Sequence, residues 1–137
     1  MEGSGQTSDN TIELVLPADT RLVRLARLVA SGIATTAGFD VDEIEDLRIA
    51  VDEGCATLIE GGDGSPLLLS FGLGSNEVAV FGSTTAKGPA TFDSDRMSLS
   101  NQILRVVVDE HELLTDHGQT AFRLRKRRAS WVAGDGS

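Results

Sequence analysis

The 137-residue chain carries two histidines, one cysteine and few other side chains suited to stand-alone catalysis. His111 and His117 lie near a turn, with no Cys or His companion at metal-ligand spacing. A zinc centre needs four protein ligands, or three and a water, so no zinc site is expected. Neither histidine has a serine or cysteine partner that the pattern can place, which excludes a readable nucleophile–base pair. Asp93 and Asp95 read as solvated loop residues, not a metal pair. No G-x-x-x-x-G-K-[ST] loop and no G-x-G-x-x-G turn is present, so two common phosphate cradles are absent. Lys87 stands in a polar stretch and reads as solvated, although a lysine there can reach a phosphate. Cys55 falls on an apolar helix face and reads as a small core residue, as free cysteines often are.

Three arginines offer recognition chemistry instead. Arg21, Arg24 and Arg27 share one helical stretch, with no acidic residue three or four positions further on. Such pairs normally neutralise a helix face, so this face is a candidate partner contact. The chain as a whole is acidic, with 12 Lys+Arg against 21 Asp+Glu and a net charge of −9. That balance argues against direct grip on a nucleic-acid backbone. The RLRKRR run at residues 123–128 alternates with apolar residues and reads as a strand with one solvated face.

The elements that must hold these residues follow from periodicity and punctuation. One domain is expected over residues 11–128, between flexible arms at 1–10 and 129–137. Thr11–Leu16 alternates as a strand, with Ile12, Leu14 and Leu16 on one face, and Pro17 ends it. A helix then starts at Ala18–Asp19, with Leu22, Leu25, Ala26, Val29 and Ile33 inward, and Gly38 stops it. Asp40 and Glu43 have capping-box spacing before a second helix through Ile44, Leu47, Val51, Cys55 and Leu58. A hairpin of Leu67–Leu73 with residues 77–82 follows, then an irregular stretch at 83–96. A third helix is expected at 99–109, with Ile103, Val106 and Val107 inward. A last antiparallel pair, 113–115 with 120–126, turns at His117–Gly118. The order β-α-α-β-β-α-β-β predicts an α+β, two-layer sandwich: a mixed, mostly antiparallel sheet covered on one face by helices. No apolar run reaches the roughly 20 residues of a membrane span. The first ten residues lack a signal-peptide pattern, and a lone cysteine suits a reducing compartment. A cytoplasmic protein is expected.

Residues 46–61, DLRIAVDEGCATLIEG, with Ser31-Gly32-Ile33-Ala34 and Gly38-Phe39 before them, carry a family resemblance. They resemble the anti-sigma-factor serine kinases of the RsbW and SpoIIAB type, whose text reads like SGIA…GF…DEIEDLKIAVSEACTNAV. That family belongs to the histidine-kinase-like (Bergerat) ATPases. The resemblance is dense over residues 31–59, and the element order fits across 11–127. It implies that Glu53 holds the place of the general base for a substrate serine, and Thr57 that of a magnesium-binding Asn. It also implies that Gly82 stands where the family's Asp accepts the adenine amino group, and Thr84 near the first glycine of Asp-x-Gly-x-Gly. Met97-Ser98-Leu99-Ser100 stands where a later Gly-x-Gly approaches the phosphates. With these positions changed, the chain resembles the degenerate actinobacterial members.

The implied function is an anti-sigma factor that sequesters an alternative RNA polymerase sigma factor in stress-response transcription. An anti-anti-sigma antagonist would release it, and a homodimer is implied. No bound cofactor is expected. The alternative is an active serine protein kinase using ATP and Mg to phosphorylate its antagonist. A small-molecule-binding α/β domain without a sigma partner is a third reading.

Overall fold

A computed structural model describes residues 10–84, 94–116 and 119–129. Eight main elements follow one another: strand β1 (Thr11–Leu16), helix α1 (Val23–Thr36), helix α2 (Val41–Gly61), strand β2 (Leu67–Leu73), strand β3 (Glu77–Thr84), helix α3 (Ser94–Val107), strand β4 (Glu110–Asp116) and strand β5 (Gln119–Arg127). The strands form one five-stranded sheet in the order β1-β2-β3-β5-β4. Each of its pairings is antiparallel, so the sheet expected to be mixed and mostly antiparallel is antiparallel throughout the described residues. The architecture is the expected two-layer α+β sandwich.

Alternation along the strands sorts the sheet into two faces. Leu67, Leu69 and Phe71 of β2, Val78 and Val80 of β3, and Phe122 and Leu124 of β5 are buried. They form one core with Leu47, Ala50, Val51, Cys55 and Leu58 of α2. Each fully buried large side chain stabilises the fold by about 1.5–3 kcal/mol. On the other sheet face, Arg123 pairs with Glu112, and Arg125 and Arg127 pair with Glu77 and Glu110. Lys126 points to the helix side, where its ammonium donates to the Val107 carbonyl and lies 3.5 Å from Asp46. Residues 123–127 of the basic run are therefore part of β5, with Arg123, Arg125, Lys126 and Arg127 matched by acids on neighbouring elements.

Asp40 caps α2 as its spacing predicts. Its carboxylate accepts from Glu43 N, and Glu43 Oε1 accepts from Asp40 N, both at 2.8 Å. A cap of this kind contributes about 1 kcal/mol. Gly38 takes φ +86°, and Phe39 N donates back to the Ala34 carbonyl. This left-handed turn is cheap for glycine and ends α1.

Two helices differ from expectation. Asp19 caps a single 3₁₀ turn, Thr20–Leu22, and α1 starts only at Val23. The buried stripe is then Val23, Ala26, Ala30, Ile33 and Ala34, while Leu25 is 37% exposed and Leu28 61%. The small residues Ala26, Ala30 and Ala34, spaced by four, let α1 lie close on α2. Helix α3 begins earlier than expected, and Val106 is 82% exposed. Its buried stripe is Ser100, Leu104 and Val107. A serine in the leading position hid that stripe from apolar periodicity. The expected turn at His117–Gly118 and most of the irregular stretch lie outside the described residues.

Candidate functional site

Helix α2 packs against the sheet, against α1 and against α3, so its residues meet three neighbours. Glu53 and Thr57 are one turn apart on it. Glu53 is largely buried, with its side chain 13% exposed. Its Oε2 accepts from Arg96 Nη1 at 2.5 Å and from Ser100 Oγ at 2.5 Å. Arg96 Nη1 also donates to Ser100 Oγ at 2.7 Å, which closes a triangle of three hydrogen bonds. The same guanidinium reaches Glu60, with Nε 3.0 Å from Oε1 and Nη2 3.4 Å from Oε2. Hydrogen bonds to Glu53 first, then Glu60, push the Arg96 pKa above its ordinary value.

The Thr57 hydroxyl donates to the Glu53 carbonyl of its own helix at 2.9 Å, and the residue is 3% exposed. That back-bond is the usual fate of a helix threonine. Gly82 sits beneath the Phe122 ring: a Cβ there would lie 2.3 Å from the ring's Cε2 and 2.9 Å from Leu69 Cδ2. Gly54 of α2 abuts the same ring, where a Cβ would lie 2.8 Å from it. Phe122 is thus clasped between two glycines, one on the helix and one on the sheet. Thr84 is buried at the end of β3. Lys87 and Asp93 lie outside the described residues, as does His117.

Among the described residues, the positions that the resemblance sets at a nucleotide site are engaged in other contacts. Position 82 offers no carboxylate to an adenine amino group, and an aromatic ring fills the adjoining space. Position 57 offers a buried hydroxyl committed to the backbone. The Glu53 carboxylate is engaged by a guanidinium and a hydroxyl. Among the described residues no group of three or more His, Cys, Asp or Glu gathers as a metal site. His111 instead lies 3.1 Å through Nε2 from Asn101 Oδ1, and burial, then Arg105, lowers its pKa. Burial first, then the negative charge of Asp52, pushes the Cys55 thiol up to about 12. It therefore stays protonated near neutrality, in keeping with a buried structural thiol.

The arginine face is only partly open. Arg21 folds back on Asp19, with Nη2 2.7 Å from Oδ2 and Nε 3.2 Å from both oxygens. Arg27 reaches across to Asp52 of α2 at 2.5 Å. The expectation of three unneutralised cations is thus corrected for two of them, because their acids lie at i−2 and on another helix. Arg24 is exposed, with no hydrogen bond or ion pair among the described residues. Sequence reasoning missed Arg96, Ser100 and Phe122. No local signal joins Arg96 and Ser100 to Glu53 and Glu60, because they stand on separate helices that packing brings together.

The five-stranded antiparallel sheet, with helices on one face, is consistent with the ATPase-like two-layer sandwich. No family model matches the chain. It is 24% identical over 148 aligned positions to proteins named serine-protein kinase RsbW. These come from Bacillus thuringiensis, Bacillus cereus and Bacillus anthracis, and the match covers 92% of this chain and 91% of theirs. The similarity spans nearly both full lengths and supports membership of the RsbW-type family that residues 31–59 resemble. Among the described residues, no helix is long and apolar enough to cross a membrane.

Proposed function

We propose that this chain is a non-catalytic anti-sigma factor of the RsbW type, which holds a sigma factor by protein contact and yields it to a competing antagonist. It acts in the cytoplasm, with no direct contact to nucleic acid or membrane. Full-length similarity to RsbW proteins supports an anti-sigma-factor and serine-kinase family role. The observation that carries the non-catalytic reading is the Glu53 carboxylate. It sits in a closed triangle with Arg96 and Ser100, beside a ring clasped by Gly54 and Gly82. A general base needs an open lone pair within reach of the proton it takes, and Oε2 already accepts from both Arg96 and Ser100. Calorimetry with Mg-ATP should show no binding tighter than about 1 mM, some −4 kcal/mol. Glu53→Ala should leave partner affinity unchanged. Micromolar Mg-ATP binding, with serine phosphorylation of an antagonist that Glu53→Ala abolishes, would restore the kinase reading.

A homodimer belongs to the same proposal. Among the described residues, strand β1 is an edge of the sheet. Ile12 is 49% exposed and Val15 63%. An apolar edge of this kind templates pairing with a second strand, and two-fold pairing of like surfaces is the commonest assembly. Light scattering at roughly tens of micromolar should read about twice the 14.5 kDa chain mass. A stable particle of the single-chain mass counts against the dimer.

A further inference from the structure

The N-terminal half of α3 is held in an unusual way. Its buried apolar side chains, Leu104 and Val107, lie in its second half. In the first half Leu99 is 50% exposed, and the buried residue is the polar Ser100. Hydrophobic burial therefore does little to hold residues 95–100 against α2. Polar chemistry does it instead. Arg96 spans Glu53 and Glu60, two turns apart on one face of α2, and Ser100 links the guanidinium to Glu53.

We infer that Arg96 and Ser100 form an internal staple, which neutralises Glu53 from within the chain and fixes the start of α3 on α2 without any bound nucleotide or cation. This deepens the non-catalytic reading and rests on it for its functional meaning. Two carboxylates on one helix face repel each other, and a guanidinium between them turns that repulsion into cross-linking. The planar fork matters because one group must donate in three directions, which a lysine ammonium at the end of a thinner stem does poorly. Ser100 both accepts from Arg96 and donates to Glu53, so the triangle leaves none of its contacting atoms idle.

Deuterium exchange and thermal unfolding of the full chain test this. Arg96→Ala should speed amide exchange over residues 95–100 by roughly tenfold or more, with β2 and β3 little changed. Its midpoint loss should be several degrees, about 3–6 °C. In a Glu53→Gln background the same substitution should cost clearly less, because a charged contact counted in both single variants is lost only once. Arg96→Lys should recover only part of the loss. Additive midpoint losses, or unchanged exchange at 95–100 in Arg96→Ala, overturn the staple. Should Arg96→Ala fail to fold, Ser100→Ala and Arg96→Lys carry the same cycle with Glu53→Gln. Mg-ATP titration of the unsubstituted chain is read separately. Binding there overturns the non-catalytic function while leaving the measured coupling to judge the staple.

Discussion

Gly82→Asp, which restores the carboxylate that the resembled kinases use for adenine, should destabilise the fold by roughly 3 kcal/mol or more and should not create nucleotide binding. The first added atom already collides: a Cβ at position 82 lies 2.3 Å and 2.6 Å from two carbons of the Phe122 ring. On the α2 side the ring packs on Gly54, where an added Cβ would lie 2.8 Å from it, so little room is left for the ring to retreat. Overpacking of this kind costs about 1–3 kcal/mol. The carboxylate beyond the Cβ then meets Leu69 and Phe122, and a buried charge without a partner adds several kcal/mol. The unfolding midpoint should fall by roughly 10 °C. Gly82→Ala separates the two causes, since it brings the collision without the charge. A Gly82→Asp chain with the original midpoint and new Mg-ATP affinity would mean that Phe122 vacates the space readily and that the pocket is latent.

Arg24→Glu should weaken binding to the sigma factor, the antagonist or both by at least about 2 kcal/mol, close to thirtyfold, the loss expected at a hot spot. The midpoint should stay nearly unchanged, because Arg24 is exposed and makes no ion pair among the described residues. Leu25 and Leu28 lie exposed beside it, giving the apolar surround with a central arginine that interfaces favour. The neighbouring arginines make poorer probes. Reversing Arg27 would set two acids against each other where Asp52 now receives its guanidinium. Reversing Arg21 would undo the bidentate pair with Asp19. Full affinity in Arg24→Glu for both partners would reduce this face to a solvated helix surface.

What the sequence determined by itself is local. The bounds of β1, the capping box at Asp40 and Glu43, the glycine stop at Gly38, the apolar stripe of α2 and the hairpin after it all follow from residues within a few positions of one another. Their physics acts over one helical turn or one strand pairing. The same local density carried the family resemblance over residues 31–59. The resemblance also sets Thr57 and Gly82 at the positions where the family carries Asn and Asp.

Only the tertiary structure decided what fills those places and which charges are spent. Arg27 finds Asp52 25 residues away, and Arg96 finds Glu53 43 residues away. No spacing rule connects such residues, because packing of separate helices brings them together. Phe122 reads in the sequence as one more inward strand residue. It fills the space between α2 and β3 because two glycines, Gly54 and Gly82, stand against its ring. The absence of a side chain is visible in a sequence. Which neighbour claims the vacated volume is settled by close packing in three dimensions, where space left by one residue is taken by another.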